Sequence, residues 1–209
     1  MMKIMDLDTP CVVIDRHIVD ANLRRAQAYA DRHGIRLRPH VKTHKLALFA
    51  RRQIELGAVG ITCQKLGEAE AMAEAGISDI FIPYNLLGAQ KLERLAGLHR
   101  RLSVSVSADS AITVTGYADA FDDPGHPLPV LVECDTGACR CGVQTPAEAD
   151  VLARLIDSMP GLRFAGLMTY PPRGRTGEVD QWLLAARERI EKSGIAVEIV
   201  SNGRTPVLY

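Results

Sequence analysis

The sequence predicts a parallel α/β barrel, and three observations support this fold class. Short apolar runs of strand length alternate with amphipathic segments of helix length along the 209 residues, which is typical of parallel sheets with helical crossovers. Glycine follows the ends of several predicted helices, where a helix terminus commonly needs it. The turn after the first predicted strand, residues 42–45, has no glycine, whereas an open dinucleotide-binding sheet usually carries a glycine-rich turn there. We therefore favour a barrel over an open sheet.

About seven βα units follow one another from residue 36 onward. The predicted strands are apolar runs bounded by turn signals, namely 36–42, 59–64, 79–84, 102–108, 128–134, 163–170 and 196–201. The helices with clear boundaries are 46–56, 67–75, 147–158 and 179–193, and we expect the other crossovers to be helical as well. A barrel of this type has eight strands. We therefore expect that these 209 residues end before the eighth strand.

The first residues do not fit the repeating βα pattern. Residues 9–15 form an apolar, strand-like run that precedes a long predicted helix, 16–33. We expect residues 1–15 to supply a strand to a different sheet, in a C-terminal β-domain that this chain lacks. Residues 16–209 would then form the incomplete barrel.

Charge and cysteine usage limit the class of partner. Equal numbers of basic and acidic residues, 25 of each, give a formal net charge of zero, so no broad field attracts nucleic acid or an anionic membrane. Residues 1–9 lack a signal-peptide pattern, and no apolar stretch has the length of a membrane span. Five cysteines in apolar surroundings indicate reduced thiols rather than a disulfide framework. We expect a cytoplasmic protein that binds small molecules.

Residues 36–42 carry the main chemical signal. Alternate side chains of a strand point the same way, so Arg36, Arg38, His40 and Lys42 share one face. Both faces of a parallel barrel are covered, and a row of cations is costly there unless an anion meets it; a ligand in the barrel mouth would supply that anion. Lys42 ends the strand, where barrel enzymes place their chemistry. A desolvated lysine there can form a Schiff base, although spacing alone fits a solvated loop lysine equally well.

Five motifs favour the cofactor-binding interpretation. They are residues 7–10 (LDTP), 38–45 (RPHVKTHK), 63–70 (CQKLGEAE), 133–142 (ECDTGACRCG) and 166–170 (GLMTY). Together they resemble the D-threonine aldolase and D-serine dehydratase family, whose barrel is of the alanine racemase N-terminal type. The resemblance implies a pyridoxal-phosphate-dependent lyase that cleaves or dehydrates D-3-hydroxy amino acids.

The resemblance also implies roles for individual residues. Lys42 matches the lysine that forms a Schiff base with pyridoxal 5'-phosphate. Arg140 matches an arginine that reaches the ring oxygen of the cofactor, and Tyr170 a tyrosine near its pyridine ring. Gln64 and His40 match positions beside the cofactor. The alternatives are that Arg140 is a capping or surface arginine and that Tyr170 is a packed core tyrosine.

The last predicted strand leads into a candidate phosphate-binding loop. Residues 201–205 match a serine- and glycine-rich loop whose backbone donors hold the phosphate in the family, with Ser201, Gly203 and Thr205 as the implied binding residues. Barrels commonly bind phosphate after strands 7 and 8. Arg204 replaces a small residue of the family, which weakens the match, although an arginine beside a phosphate is chemically reasonable.

Two arrangements of metal-ligand type are present, and we expect neither to hold a metal. His40 and His44 lie on a strand and in the following turn, so they do not share a face as helix residues four apart would. Cys134, Cys139 and Cys141 have no histidine or fourth cysteine at the spacing of a zinc site. A divalent metal, where the family has one, is held by a histidine and a cysteine of the C-terminal β-domain.

The resemblance leaves the reaction open. Aldol cleavage, dehydration and racemisation of a D-amino acid all use pyridoxal phosphate as an electron sink. A non-catalytic barrel that binds pyridoxal phosphate is an alternative of another class; the length of the chain favours it, whereas the motif around Lys42 favours the enzyme. The family forms homodimers with sites between subunits, so we expect a homodimer for a full-length form.

Overall fold

One parallel sheet organises the molecule. In a computed structural model, residues 3–203 are described, and within them a sheet of six strands has the order β1-β2-β3-β4-β5-β6. The strands are β1 (Ile61–Thr62), β2 (Asp79–Ile82), β3 (Ser103–Ala108), β4 (Leu128–Cys134), β5 (Leu162–Thr169) and β6 (Ile199–Ser201). All neighbouring strands are parallel, so their carboxyl ends lie at one end of the sheet.

Helices connect the strands, as the alternating pattern predicts. They are α1 (Arg16–Arg32), α2 (Ala47–Leu56), α3 (Leu66–Glu74), α4 (Ala89–His99), α5 (Ala111–Ala120), α6 (Pro146–Asp157) and α7 (Thr176–Lys192). One helix lies between each pair of successive strands, and sequential strands are neighbours in the sheet. The predicted parallel βα architecture is confirmed.

The predicted strand over residues 36–42 is wrong as a strand. Its backbone runs beside β1, with Val59 N donating to Leu37 O at 2.9 Å and Thr62 N donating to Pro39 O at 2.8 Å. Only His40 forms a parallel bridge, to Thr62. Proline has no N–H to donate to a ladder, and the chain turns directly into a 3-10 helix, Val41–Thr43. Lys42 therefore lies in a turn beyond the extended segment.

Both faces of the sheet are buried. A large hydrophobic cluster packs strand residues such as Ile80 and Val132 against helix residues such as Leu95 and Ile156. A smaller cluster on the other face contains strand residues alone, Phe81, Leu131, Ala165 and Met168, with Ile199 beside them. Burial on both faces explains why the strands read as nearly continuous apolar runs.

The amino-terminal run does not pair with this sheet. Residues 11–15 have no regular secondary structure, and Val12, Val13 and Ile14 are 93%, 56% and 46% exposed. That this run forms a strand with another domain stays a prediction. Within residues 3–203, no helix combines the length and apolar character needed to cross a bilayer.

Candidate active site

Lys42 and Gln64 meet at the carboxyl end of the sheet. Lys42 Nζ donates to Gln64 Oε1 at 3.2 Å, although the residues are 22 positions apart in the chain. Both side chains are half-buried. The 3-10 turn that carries Lys42 is capped by His40, whose Nδ1 accepts from Lys42 N at 3.4 Å. Three of the predicted site residues are thus brought together.

His40 is a neutral neighbour for the lysine. Burial, together with the positive charge of Lys42, lowers the pKa of His40 to about 4. Because removing an imidazolium from water favours the neutral ring, His40 carries no charge at neutral pH. A neutral imidazole does not compete with Lys42 for an anionic ligand.

Two members of the predicted row of cations are compensated within the protein, and a ligand anion for the others stays a prediction. Arg38 Nη1 and Nη2 donate to Asp79 Oδ1 and Oδ2 at 2.7 and 3.3 Å. Asp79 is the first residue of β2, so this pair lies towards the amino ends of the strands. A Cβ on Gly60 would lie 2.1 Å from Arg38 Nη1, so glycine makes room for the guanidinium. The protein itself neutralises Arg38, and burial neutralises His40.

Arg140 and Tyr170 form a second pair. The guanidinium carbon of Arg140 lies 4.7 Å from the centroid of the Tyr170 ring, a distance at which the cation and the ring attract each other. Tyr170 is 39% exposed and follows the last residue of β5. It is therefore not the packed core tyrosine that the sequence left open.

The loop after β4 is shaped by Asp135. Its carboxylate accepts the backbone N–H groups of Gly137, Cys139 and Arg140 at 2.9, 3.0 and 3.2 Å. These bonds outweigh the effect of burial, which would raise the pKa of Asp135, and the pKa lies below its ordinary value. An ionised Asp135 thus folds the loop back and sets the position of Arg140.

Glu133 lies under the same loop, and the sequence reasoning missed its importance. It is 3% exposed, it accepts from Ser107 Oγ at 3.2 Å and from Cys141 Sγ at 3.0 Å, and it lies 3.7 Å from Arg140 Nη2. Burial and the neighbouring Glu133 raise the pKa of Cys141, which keeps the thiol protonated as a donor. A carboxylate inside an otherwise apolar strand was the signal available.

Further polar contacts tie the strand ends together. Asp109, which follows β3, accepts from Asn85 Nδ2 at 2.8 Å and from Gly142 N at 3.3 Å. The hydroxyl groups of Thr136 and Thr169 lie 2.9 Å apart. The loops after β2, β3 and β4 and the end of β5 are therefore connected by hydrogen bonds at one end of the sheet.

The predicted phosphate loop is only partly described. Ser201 is the last residue of β6 and pairs with Met168 of β5, which places it at the same end of the sheet as Lys42. Gly203 has a φ of 137°, a conformation that favours glycine. Thr205 and Arg204 lie outside the described residues.

The metal candidates have other contacts. His44 Nδ1 accepts from Leu46 N at 3.0 Å, and Cys134 Sγ donates to Val132 O at 3.5 Å. Across residues 3–203, no group of three or more histidine, cysteine, aspartate or glutamate side chains is arranged to hold a metal ion.

The chain matches the family model for the alanine racemase N-terminal domain over residues 14–208. The chain belongs to this family. The resemblance read from the motifs is thereby confirmed, and so is the barrel type of the sheet.

Members of the alanine racemase N-terminal family with curated functions are similar over almost the whole chain. A D-threonine aldolase of Arthrobacter is 40% identical over 210 residues, covering 95% of this chain and 55% of that protein. A D-threo-3-hydroxyaspartate dehydratase of Delftia is 36% identical, covering 97% of this chain and 57% of that protein. The chain therefore spans a little over half the length of these relatives.

A solved structure agrees with the fold. The crystal structure of D-threonine aldolase from Filomicrobium marinum superposes with a TM-score of 0.91 at 33% sequence identity, covering 95% of this chain and 57% of that one. The arrangement of βα units is thus the one found in that family member.

Proposed function

We propose that this chain is the cofactor-binding barrel of a pyridoxal-phosphate-dependent lyase that cleaves or dehydrates D-3-hydroxy amino acids. The contact that carries the proposal is the pair of Lys42 Nζ and Gln64 Oε1 at the carboxyl end of the sheet. Within residues 3–203, Lys42 is not ion-paired, whereas the neighbouring Lys45 is paired with Glu68. The names of the similar proteins, an aldolase and a dehydratase, support this reaction class.

The side chains fit a phosphorylated pyridine aldehyde. Such a ligand needs an amine for its aldehyde, and Lys42 presents one beside an amide oxygen and a neutral imidazole. The ligand also needs a cation for its ring oxygen. Arg140, whose guanidinium packs against the Tyr170 ring, would supply that cation. For the phosphate, Ser201 and Gly203 contribute backbone at the end of β6, as part of a loop that we propose to extend to Thr205.

In the proposed mechanism the protein binds the cofactor and orients the side chains that contact it. When bound, the cofactor supplies an electron sink for the bond broken at the α-carbon of the substrate. Gln64 Oε1 holds Lys42 Nζ in place, and His40 fixes the backbone of the same residue through Nδ1. Asp135 and Glu133 hold Arg140 from its backbone and from its guanidinium, so this cation is positioned before the ligand arrives.

We extend the proposal to location and assembly. All five cysteines are free thiols, which suits a reducing compartment such as the cytoplasm. A homodimer, and a divalent metal that polarises the β-hydroxyl group of the substrate, remain predictions for a full-length form. Sedimentation velocity and metal analysis of that form test them.

The test is covalent labelling combined with two assays. The protein is mixed with pyridoxal phosphate, reduced with borohydride and digested, and we expect the labelled peptide to contain Lys42. Parallel assays follow aldehyde release from D-threonine and ammonia release from D-threo-3-hydroxyaspartate. The Lys42→Gln variant should lose the label and fall below about 1% of the parent rate, the low end of what one catalytic group contributes.

The exposed Lys91 on α4 provides the matched control, since Lys91→Gln removes the same charge outside the candidate site. It should leave both label and rate unchanged. A label on Lys45 or Lys65 would overturn the assignment of Lys42. A label on Lys42 with neither reaction would support the non-catalytic pyridoxal-phosphate carrier instead.

A further inference from the structure

Two lysines stand three residues apart in one turn and have different partners. Lys42 Nζ donates to an amide oxygen of Gln64, and Lys45 Nζ forms an ion pair with Glu68 Oε1, each at 3.2 Å. Both amines have the chemistry to condense with an aldehyde. Some feature of the site must therefore select one of them.

Glu68 contacts both halves of this arrangement. While Oε1 binds the Lys45 ammonium, Oε2 accepts the backbone N–H of Gln64 at 2.9 Å. Gln64 lies just before α3 and Glu68 lies in its first turn, so the carboxylate closes the start of the helix. The Glu68 carboxylate thus binds the side chain of Lys45 and the backbone of Gln64, and Gln64 in turn accepts a hydrogen bond from Lys42.

The carboxylate is suited to this task. The Glu68 side chain is only 13% exposed, and burial alone would raise its pKa, but the Gln64 N–H and the Lys45 ammonium outweigh burial and hold the pKa below its ordinary value. Glu68 is therefore ionised at neutral pH. Lys45 has a φ of 54°, a backbone conformation that is uncommon for residues other than glycine.

We propose that Glu68 is a positioning residue that makes Lys42, rather than Lys45, the reactive lysine of this turn. It acts by retaining the Lys45 ammonium and by holding Gln64 beside Lys42, without touching the reacting atoms. The inference rests on the proposed function, because it concerns the lysine that would hold the cofactor.

The experiment measures how a label divides between Lys42 and Lys45 in the full 209-residue chain. One arm uses pyridoxal phosphate followed by borohydride; the other uses trinitrobenzenesulfonate, an amine reagent that needs no cofactor site. In Glu68→Gln, the ratio of Lys45 label to Lys42 label should rise about fivefold in both arms, as expected for losing a pair worth ~1 kcal/mol. Glu68→Asp keeps the charge and should restore most of the preference.

Glu70→Gln is the matched control, because Glu70 lies on the same helix but pairs with Arg94. It should leave the ratio unchanged. An unchanged ratio in Glu68→Gln, in protein that still melts cooperatively, overturns the role of Glu68. If pyridoxal phosphate labels neither lysine in the parent chain, the proposed function fails, and the trinitrobenzenesulfonate ratio still decides the role of Glu68.

Salt supplies a second measurement that needs no variant. Raising the ionic strength from about 0.01 M to about 1 M shortens the screening length from about 30 Å to about 3 Å, which weakens the Lys45–Glu68 pair. The Lys45 share of the trinitrobenzenesulfonate label should then rise in the parent chain. If Glu68→Gln does not fold, a share that is independent of salt contradicts the proposal.

Discussion

Glu133 and Glu68 show how single carboxylates position the side chains of the candidate site. Glu133 lies under the loop that carries Arg140, and Glu68 lies beside Lys45 and Gln64. Glu133 is almost fully buried, and donors from Ser107 and Cys141 together with the nearby Arg140 compensate its charge. Glu68 is compensated by Lys45 and by a backbone N–H. Because a buried carboxylate is costly without such partners, each one constrains the groups around it.

The half-buried His40 makes stability depend on pH. His40 has a pKa of about 4 in the folded chain, against about 6.5 for an unfolded histidine. Below pH 6.5 the unfolded chain therefore binds more protons, so the free energy of unfolding falls as pH falls towards 4. The loss attributable to His40 should be on the order of 2–3 kcal/mol.

Urea unfolding of the parent chain and of His40→Asn at pH 7 and pH 4.5 measures this loss. The variant should lose less stability between the two pH values than the parent does. His17→Asn, a change at an exposed histidine, should lose as much as the parent. Equal losses in all three proteins would show that His40 is not buried neutral.

At the scale of elements, a register shift in the pairing of β4 with β5 places Gly166 of β5 between β4 and β6. The pairing of β4 with β5 shifts between Val130 and Leu131, whose partners are Phe164 and Gly166. Gly166 has a φ of 140°, and a Cβ there would lie 1.9 Å from Ile199 O on β6. Glycine is needed here because no side chain fits between the two backbones. The positions of Thr169 and Ser201 at the strand ends, and of Tyr170 just beyond β5, depend on this close approach.

Gly166→Ala should therefore separate β5 from β6. We expect a loss of unfolding free energy on the order of 3 kcal/mol or more, from backbone strain and from the steric clash. Gly177→Ala on α7, where an added Cβ meets nothing within 4 Å, should be neutral or stabilise by up to about 1 kcal/mol. Urea denaturation compares the two, and similar losses would argue against a tight β5–β6 contact.

At the scale of the whole molecule, the sheet is buried on both faces, whereas the amino-terminal run is exposed. This contrast predicts how much each part contributes to stability. Core valines such as Val132 are fully buried. Val12, with the same side chain, is almost fully exposed. Apolar side chains contribute to stability through the surface that they remove from water, so the two valines should respond very differently to the same change.

Val12→Thr should change the free energy of unfolding by no more than about 0.5 kcal/mol, as is usual for a surface position. Val132→Thr should cost about 1–3 kcal/mol, because it buries a hydroxyl group in the core. Thermal or urea unfolding of both variants checks this contrast. A large cost at Val12 would show that the run is buried in solution.

The sequence by itself determined the alternation of strands and helices, and it predicted that the candidate site residues lie at the carboxyl end of the sheet. Apolar runs and helix stops are local features, so β4 forms over the predicted residues 128–134. The resemblance indicated that Lys42 and Gln64 both lie beside the cofactor, whereas their direct contact is visible only in the structure. Local pattern failed at residues 36–42, where Pro39 interrupts the ladder.

Only the tertiary structure decided which groups face one another. Period-2 spacing places Arg38 on a face, but the partner on that face depends on how β2 is aligned, and it is Asp79 rather than a ligand. In the same way Glu133 meets Cys141 because the loop folds back over its own strand. Partners of charged side chains are set by how segments of the chain fold against one another, and hydrophobic periodicity carries no information about those contacts.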